Sequence, residues 1–138
     1  MTRIALLLSA LAALTVTPVA AEHEVYYRYT VLGYVTDAGH PRAGQEVVLI
    51  RDKTGFSYIN ITDAAGLFVI VARLGDESAG EGLTLRVGEV RAPLTAQFDP
   101  SNHSDERGTR VDVEGSRVVE RPAWFRSTLA RLLGTSRR

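Results

Sequence analysis

Apolar and polar positions alternate with a period of two through most of the chain. Between Glu24 and Thr36, Val25, Tyr27, Tyr29, Val31, Gly33 and Val35 share one parity, and Tyr26, Arg28, Thr30, Leu32 and Tyr34 share the other. Alternation rich in β-branched and aromatic residues predicts a long strand covered in part on both faces. The cluster Asp37-Ala38-Gly39-His40-Pro41 predicts a turn, because Asp bonds its own backbone, Gly reaches positive φ and Pro cannot donate to a ladder. Further strands are expected at Gln45–Arg51, Phe56–Thr62, Leu67–Leu74, Leu83–Val87, Val90–Phe98 and Thr109–Val119. The turns Asp52–Gly55 and Asp63–Gly66, a glycine-rich loop over 75–82 and a polar loop over 99–108 separate them. Pro93 places the Val90–Phe98 strand at an edge or a bulge, and Gly115 marks a bend in the last strand. The pattern predicts an all-β fold, a seven-stranded Greek-key β-sandwich over 22–119.

The two ends break this pattern. Ile4–Val16 is an apolar run after Arg3, followed by Pro18 and the small residues Val19-Ala20-Ala21. The run has 13 residues, short of the roughly 20 a membrane-crossing helix needs. Residues 1–21 are therefore read as a secretory signal peptide cleaved before Glu22. At the other end, Ala123–Leu133 lacks Gly and Pro, and Phe125, Leu129, Leu132 and Leu133 recur at helical spacing beside Trp124. A short amphipathic helix is expected within 120–138, opened by Pro122 and stopped by Gly134. An isolated helix of about 11 residues is marginal in water, so it needs a surface. Its own sandwich, an acidic groove of a protein partner and an anionic membrane surface are the three candidates.

Charge separates the same segments. Residues 22–119 hold 15 acidic and 10 basic side chains, a net of −5, whereas 120–138 hold 1 acidic and 5 basic, a net of +4. An acidic body is a poor partner for nucleic acid. The chain has no cysteine, which excludes disulfide scaffolds, thiolate zinc sites, cysteine nucleophiles and lipid attachment at a lipobox. With the leader, this favours the periplasm, with the extracellular space as the alternative.

The ordered run Val31-x-Gly33-x-Val35-x-Asp37-x-Gly39-x-Pro41-x-x-Gly44-x-x-Val47-x-Leu49, followed by Thr62-Asp63-Ala64-x-Gly66-x-Phe68, resembles the carboxypeptidase regulatory-like domain, a transthyretin-like β-sandwich. The likeness covers residues 30–74 well and 75–119 by general pattern. It implies a non-catalytic accessory, adhesion or binding module. In it Val31, Val35, Val47, Leu49, Phe68 and Ile70 fill one core, Gly33 permits close approach, and Thr62 and Asp63 shape the turn before Gly66. Transthyretin-like folds also include hydroxyisourate hydrolases, which resemble one another in a C-terminal Tyr-Arg-Gly-Ser motif. This chain ends Gly134-Thr135-Ser136-Arg137-Arg138 and lacks it.

Candidate chemistry is sparse. His23, His40 and His103 have no paired metal spacing. Cleavage after Ala20 would leave Ala-Glu-His, a nitrogen set suited to Cu(II), whereas the preferred cleavage after Ala21 removes it. Asp99, Asn102, Ser104, Asp105 and Glu106 form an oxygen-rich loop without the spacing of a calcium-binding hand. No nucleophile elbow or phosphate loop is present, so no catalytic residue, metal or cofactor is expected. The residues best suited to contact are Tyr26 and Tyr34 on the first strand, with Trp124, Phe125, Arg126, Leu129, Arg131 and Leu132 on the helix. Exposed tyrosines would suit a protein or a glycan; the alternative is that the C-terminal segment covers them. The expected function is recognition of a protein partner, with carbohydrate binding as the second reading and hydrolysis as the third.

Overall fold

The structure, a computed structural model, describes residues 27–136; the expected leader with its expected cleavage site, His23 and Tyr26 lie outside the described residues. Two β-sheets face each other across one core, and one short helix closes the chain. The first sheet centres on β1 (Tyr27–Asp37), which pairs antiparallel with β5 (Leu67–Leu74) from Tyr27↔Leu74 to Tyr34↔Leu67. On its other side β1 runs parallel to β8 (Arg107–Glu114), which pairs antiparallel with β9 (Arg117–Glu120). The two-residue β2 (His40–Pro41) closes the far end of β1. The second sheet runs in the order β4 (Ser57–Ile61), β3 (Glu46–Arg51), β6 (Gly82–Val87), β7 (Val90–Thr95), all antiparallel.

The described residues thus form nine strands, not seven. His40-Pro41 ends its turn in a brief ladder. The expected strand Thr109–Val119 is a hairpin, because Gly115 takes φ +65° and reverses the chain so that Glu114 faces Arg117. Strand β9 consequently reaches Glu120, past the expected boundary at 119, and β7 ends at Thr95, short of Phe98.

The alternation does place the core. Tyr29, Val31 and Val35 of β1, Phe68, Ile70, Ala72 and Leu74 of β5, and Val111 and Val113 of β8 meet Val47, Leu49, Leu83, Leu85, Val87 and Leu94 of the second sheet. All six residues expected in the core are there. Full burial of such side chains stabilises by about 1.5–3 kcal/mol each. Burial also pushes the Tyr29 phenol up to about 12, since the phenolate would lose its hydration. Thr62 is buried, donates to the Arg42 carbonyl (2.5 Å) and accepts from the Gln45 N–H (2.8 Å). Asp63 Oδ1 accepts from the N–H groups of Ala65 and Leu67, both at 2.9 Å, which builds the turn before Phe68.

The second apolar layer lies outside the first sheet. Leu32 and Thr30, on the opposite parity of β1, are buried although they face away from the core. On that side of the sheet a 3-10 turn at Pro122–Trp124 and α1 (Phe125–Ser136) pack against β8. Phe125 lies over Gly108: a β-carbon there would come within 2.6 Å of two ring carbons. The helix therefore packs on its own sheet. It runs past Gly134, where a stop was expected; one glycine costs a helix only about 1 kcal/mol.

Candidate binding surface

The face that α1 covers carries a charged network that alternation alone would leave in solvent. Asp112 is on the outer parity of β8 and is 4% exposed. Its Oδ1 accepts from the Tyr34 N–H (3.1 Å) and from Arg110 Nε (3.1 Å), and its Oδ2 accepts from Arg110 Nη2 (3.0 Å) and from Arg121 Nη1. The Tyr34 contact falls where the β1–β8 ladder is interrupted, between Leu32↔Arg110 and Val35↔Val113, beside Gly33. A β-carbon at Gly33 would fall 1.7 Å from the Val111 carbonyl oxygen. The carboxylate thus replaces a ladder acceptor in the middle of the sheet, and two arginines compensate its charge.

Those arginines in turn hold the C-terminal segment. Arg110 Nη1 donates to Thr128 Oγ1 (3.0 Å), and the Thr128 hydroxyl donates to the Trp124 carbonyl (2.7 Å). The Arg110 guanidinium lies 5.1 Å from the Tyr34 ring centre and 5.4 Å from that of Trp124, while Arg121 lies 5.2 Å from Trp124. Contacts of this kind contribute about 0.5–1 kcal/mol each at exposed sites. Trp124 is held by these two cations yet is 53% exposed, and Leu133 further along α1 is 50% exposed.

Most of the contact residues expected from sequence converge here, with altered roles. Tyr34 is half-buried, and its hydroxyl accepts from Arg131 Nη2 (3.2 Å). The C-terminal segment covers this tyrosine. Phe125 is buried against the sheet, so it anchors the helix and is not offered to a partner. Leu129 and Leu132 are half-buried. Arg126 is exposed and pairs with Asp105 at 3.1 Å, tying α1 to the polar loop. Arg110, Asp112 and Arg121 were missed. Their only signal is a carboxylate between two valines on a strand, which usually marks a solvated face.

The oxygen-rich loop is organised from within. Asp99 Oδ1 accepts from the Ser101 N–H (2.9 Å) and hydroxyl (2.7 Å), which lowers the carboxyl's pKa below its usual range. Asn102 Oδ1 accepts from the N–H and hydroxyl of Ser104. Buried Arg107 stacks on Phe98 (4.3 Å) and donates to the carbonyls of Asp99 and Asn102, both at 3.1 Å. His103 Nε2 lies 3.0 Å from Asp76 Oδ2, fastening the loop to the 3-10 turn Asp76–Ser78. Among the described residues no three His, Cys, Asp or Glu side chains are grouped to hold a metal ion.

No protein-family profile matches this chain, and no curated protein matches it. Solved structures that share a loose likeness include the following two. One is the dioxygenase domain of a dioxygenase–carbohydrate-binding protein fusion from the cellulolytic bacterium Streptomyces sp. SirexAA-E: 16% identity, 71% of this chain and 78% of that one, TM-score 0.39. The other is a 9R-lipoxygenase from Cyanothece PCC8801: 15% identity, 74% of this chain and 18% of that one, TM-score 0.38. Likenesses at this level carry no argument about activity, and the surface has to be judged on its own chemistry.

Proposed function

We propose that this chain is an exported, non-enzymatic binding module that recognises a protein partner through the surface around Trp124. The observation that carries this reading is the large, half-exposed indole held in one pose by Arg110 and Arg121. A rigid aromatic beside cations supplies contact area at low entropic cost, and such residues dominate the energy of interfaces. The exposed Arg126 and Arg131 add positive charge along α1, beside Asp105 and Tyr34 respectively, which suits a partner segment bearing carboxylates. The leader pattern supports export to the periplasm. The motif from Val31 to Phe68 supports a transthyretin-like Greek-key sandwich of the carboxypeptidase regulatory-like kind.

The test is a comparison of Trp124→Ala with the parent. Proteins that co-purify with the tagged chain from the exported fraction are identified by mass spectrometry, and the melting temperature of each variant is measured. Loss of a specific co-purifying protein with stability retained supports the proposal. An unchanged set of partners overturns it. N-terminal sequencing of the same material should begin at Glu22; an intact Met1 would refute export by cleavage.

A further inference from the structure

We propose that β4 is a self-pairing edge and that two copies of this chain associate across it into one continuous eight-stranded sheet. Three of the four outer edges of the two main sheets are guarded. Strand β7 carries Pro93 in its middle, and β9 has only four residues before the chain turns into the helix. On β5 the outward N–H groups of Val69 and Arg73 are met by Asn60 Oδ1 (3.3 Å) and by the Tyr58 hydroxyl (3.2 Å).

Strand β4 has no such device. Its even-numbered residues bond to β3, as fixed at either end by the Thr62 N–H to the Gln45 carbonyl (2.9 Å) and the Arg51 N–H to the Phe56 carbonyl (2.8 Å). In an antiparallel ladder the N–H and C=O groups of Ser57, Ile59 and Ile61 must then point outward. The strand holds no proline, lysine or bulge. Ile59 and Ile61, on the outer face of the strand, are 61% and 60% exposed, and Phe56, on the other face beside Tyr58, is 58% exposed; monomeric proteins seldom leave such apolar side chains along an open edge.

The charges flanking this edge select a second copy as its occupant. Glu46 and Asp63 lie at the Ile61 end, and Lys53 and Arg73 at the Phe56 end. Asp52 is turned away toward β6 by accepting from the Thr84 hydroxyl (2.7 Å), and Arg51 is paired with Glu81. A two-fold axis at Ile59 sets Ser57 opposite Ile61 of the other copy, so every hydrogen-bonded pair joins residues whose N–H and C=O groups point outward. The same axis sets the acidic end of each edge against the basic end of the other. An isologous contact of this kind closes on itself and leaves no further edge to propagate. The cleft between β4 and β5, about 580 Å³ and lined by Arg51, Thr54, Phe56, Tyr58, Val71 and Arg73, lies at the rim where the other copy arrives.

The test is the mass of the purified protein in solution, by sedimentation velocity at concentrations up to about 100 μM, well above a micromolar Kd. A dimer is expected for the parent chain and a monomer for Ile59→Lys, with unchanged circular dichroism because the position is on the surface; the parent's melting temperature should rise with concentration and the variant's should not. Ile61→Lys carries the same expectation should the first variant misfold. Glu46→Lys should weaken association about tenfold through two symmetry-related pairs, and adding Lys53→Glu should restore it. A monomeric parent, or a dimer that survives both lysine variants, overturns the proposal.

Discussion

Asp112→Ala tests whether the carboxylate at the centre of the first sheet holds the C-terminal segment in place. The substitution takes an acceptor from three donors: the Tyr34 N–H, Arg110 and Arg121. Breaking a buried ion pair by removing one partner costs about 3–5 kcal/mol. The side chains of Arg110 and Arg121 keep 16% and 23% exposure, so water relieves part of that loss and lowers it to about 2–3 kcal/mol. The stranded Tyr34 N–H adds about 1 kcal/mol. A total of about 3–4 kcal/mol corresponds to a melting temperature about 12–16 °C lower in a domain of this size. Urea unfolding followed by circular dichroism gives the first number and calorimetry the second. Trp124 is the chain's only tryptophan, so its fluorescence reports the same network, and release of its two arginines should shift the emission to the red. Asp112→Asn keeps an oxygen for the Tyr34 N–H but removes the charge, and should fall between alanine and the parent. A loss below about 1 kcal/mol for the alanine variant, with emission unchanged, would refute the claim that Asp112 organises the segment.

Phe68→Ala, at a side chain with no exposure, should cost about 3–5 kcal/mol by urea titration; a loss under about 1 kcal/mol would place Phe68 outside the core. Gly33→Ala should destabilise by about 3 kcal/mol or more, since overpacking costs about 1–3 kcal/mol and here the β-carbon meets a backbone oxygen that cannot swing aside; a melting temperature equal to the parent's would show that β1 and β8 do not approach as described. Truncation after Glu120 removes the turn and helix that pack against β8 and should lower the melting temperature substantially, whereas retained stability would mean that α1 is not part of the fold. Arg51 hydrogen-bonds Glu81 and lowers that carboxyl's pKa below its usual value. The stability this pair contributes is therefore present above the ordinary glutamate pKa and is lost as pH falls through the depressed one. Melting temperatures of Glu81→Gln and the parent should differ near neutral pH and converge in acid, and a constant gap would contradict the assignment.

The period-two pattern was sufficient to find every major strand and to name the inward residues from Val31 to Ile70, because burial of one parity is what that pattern encodes. Turn chemistry was equally local at Asp63, which bonds N–H groups two and four residues on, whereas Gly115, expected to bend one strand, reverses the chain and divides it into β8 and β9. The apolar spacing after Pro122 also revealed a helix. What the sequence left open was which surfaces cover one another. Alternation assigns residues to faces but does not say whether the outer face meets solvent, so nothing in the sequence marks Asp112 as a carboxylate that is buried and held by Arg110 and Arg121. The same gap misjudged Phe125, which packs from α1 over Gly108 of β8, a strand that neighbours β1 in space but is distant from it in sequence. The parallel pairing of β1 with β8, the close approach at Gly33 and the open edge of β4 are all relations between distant segments. They follow from the packing of two whole sheets, and tertiary structure alone decided them.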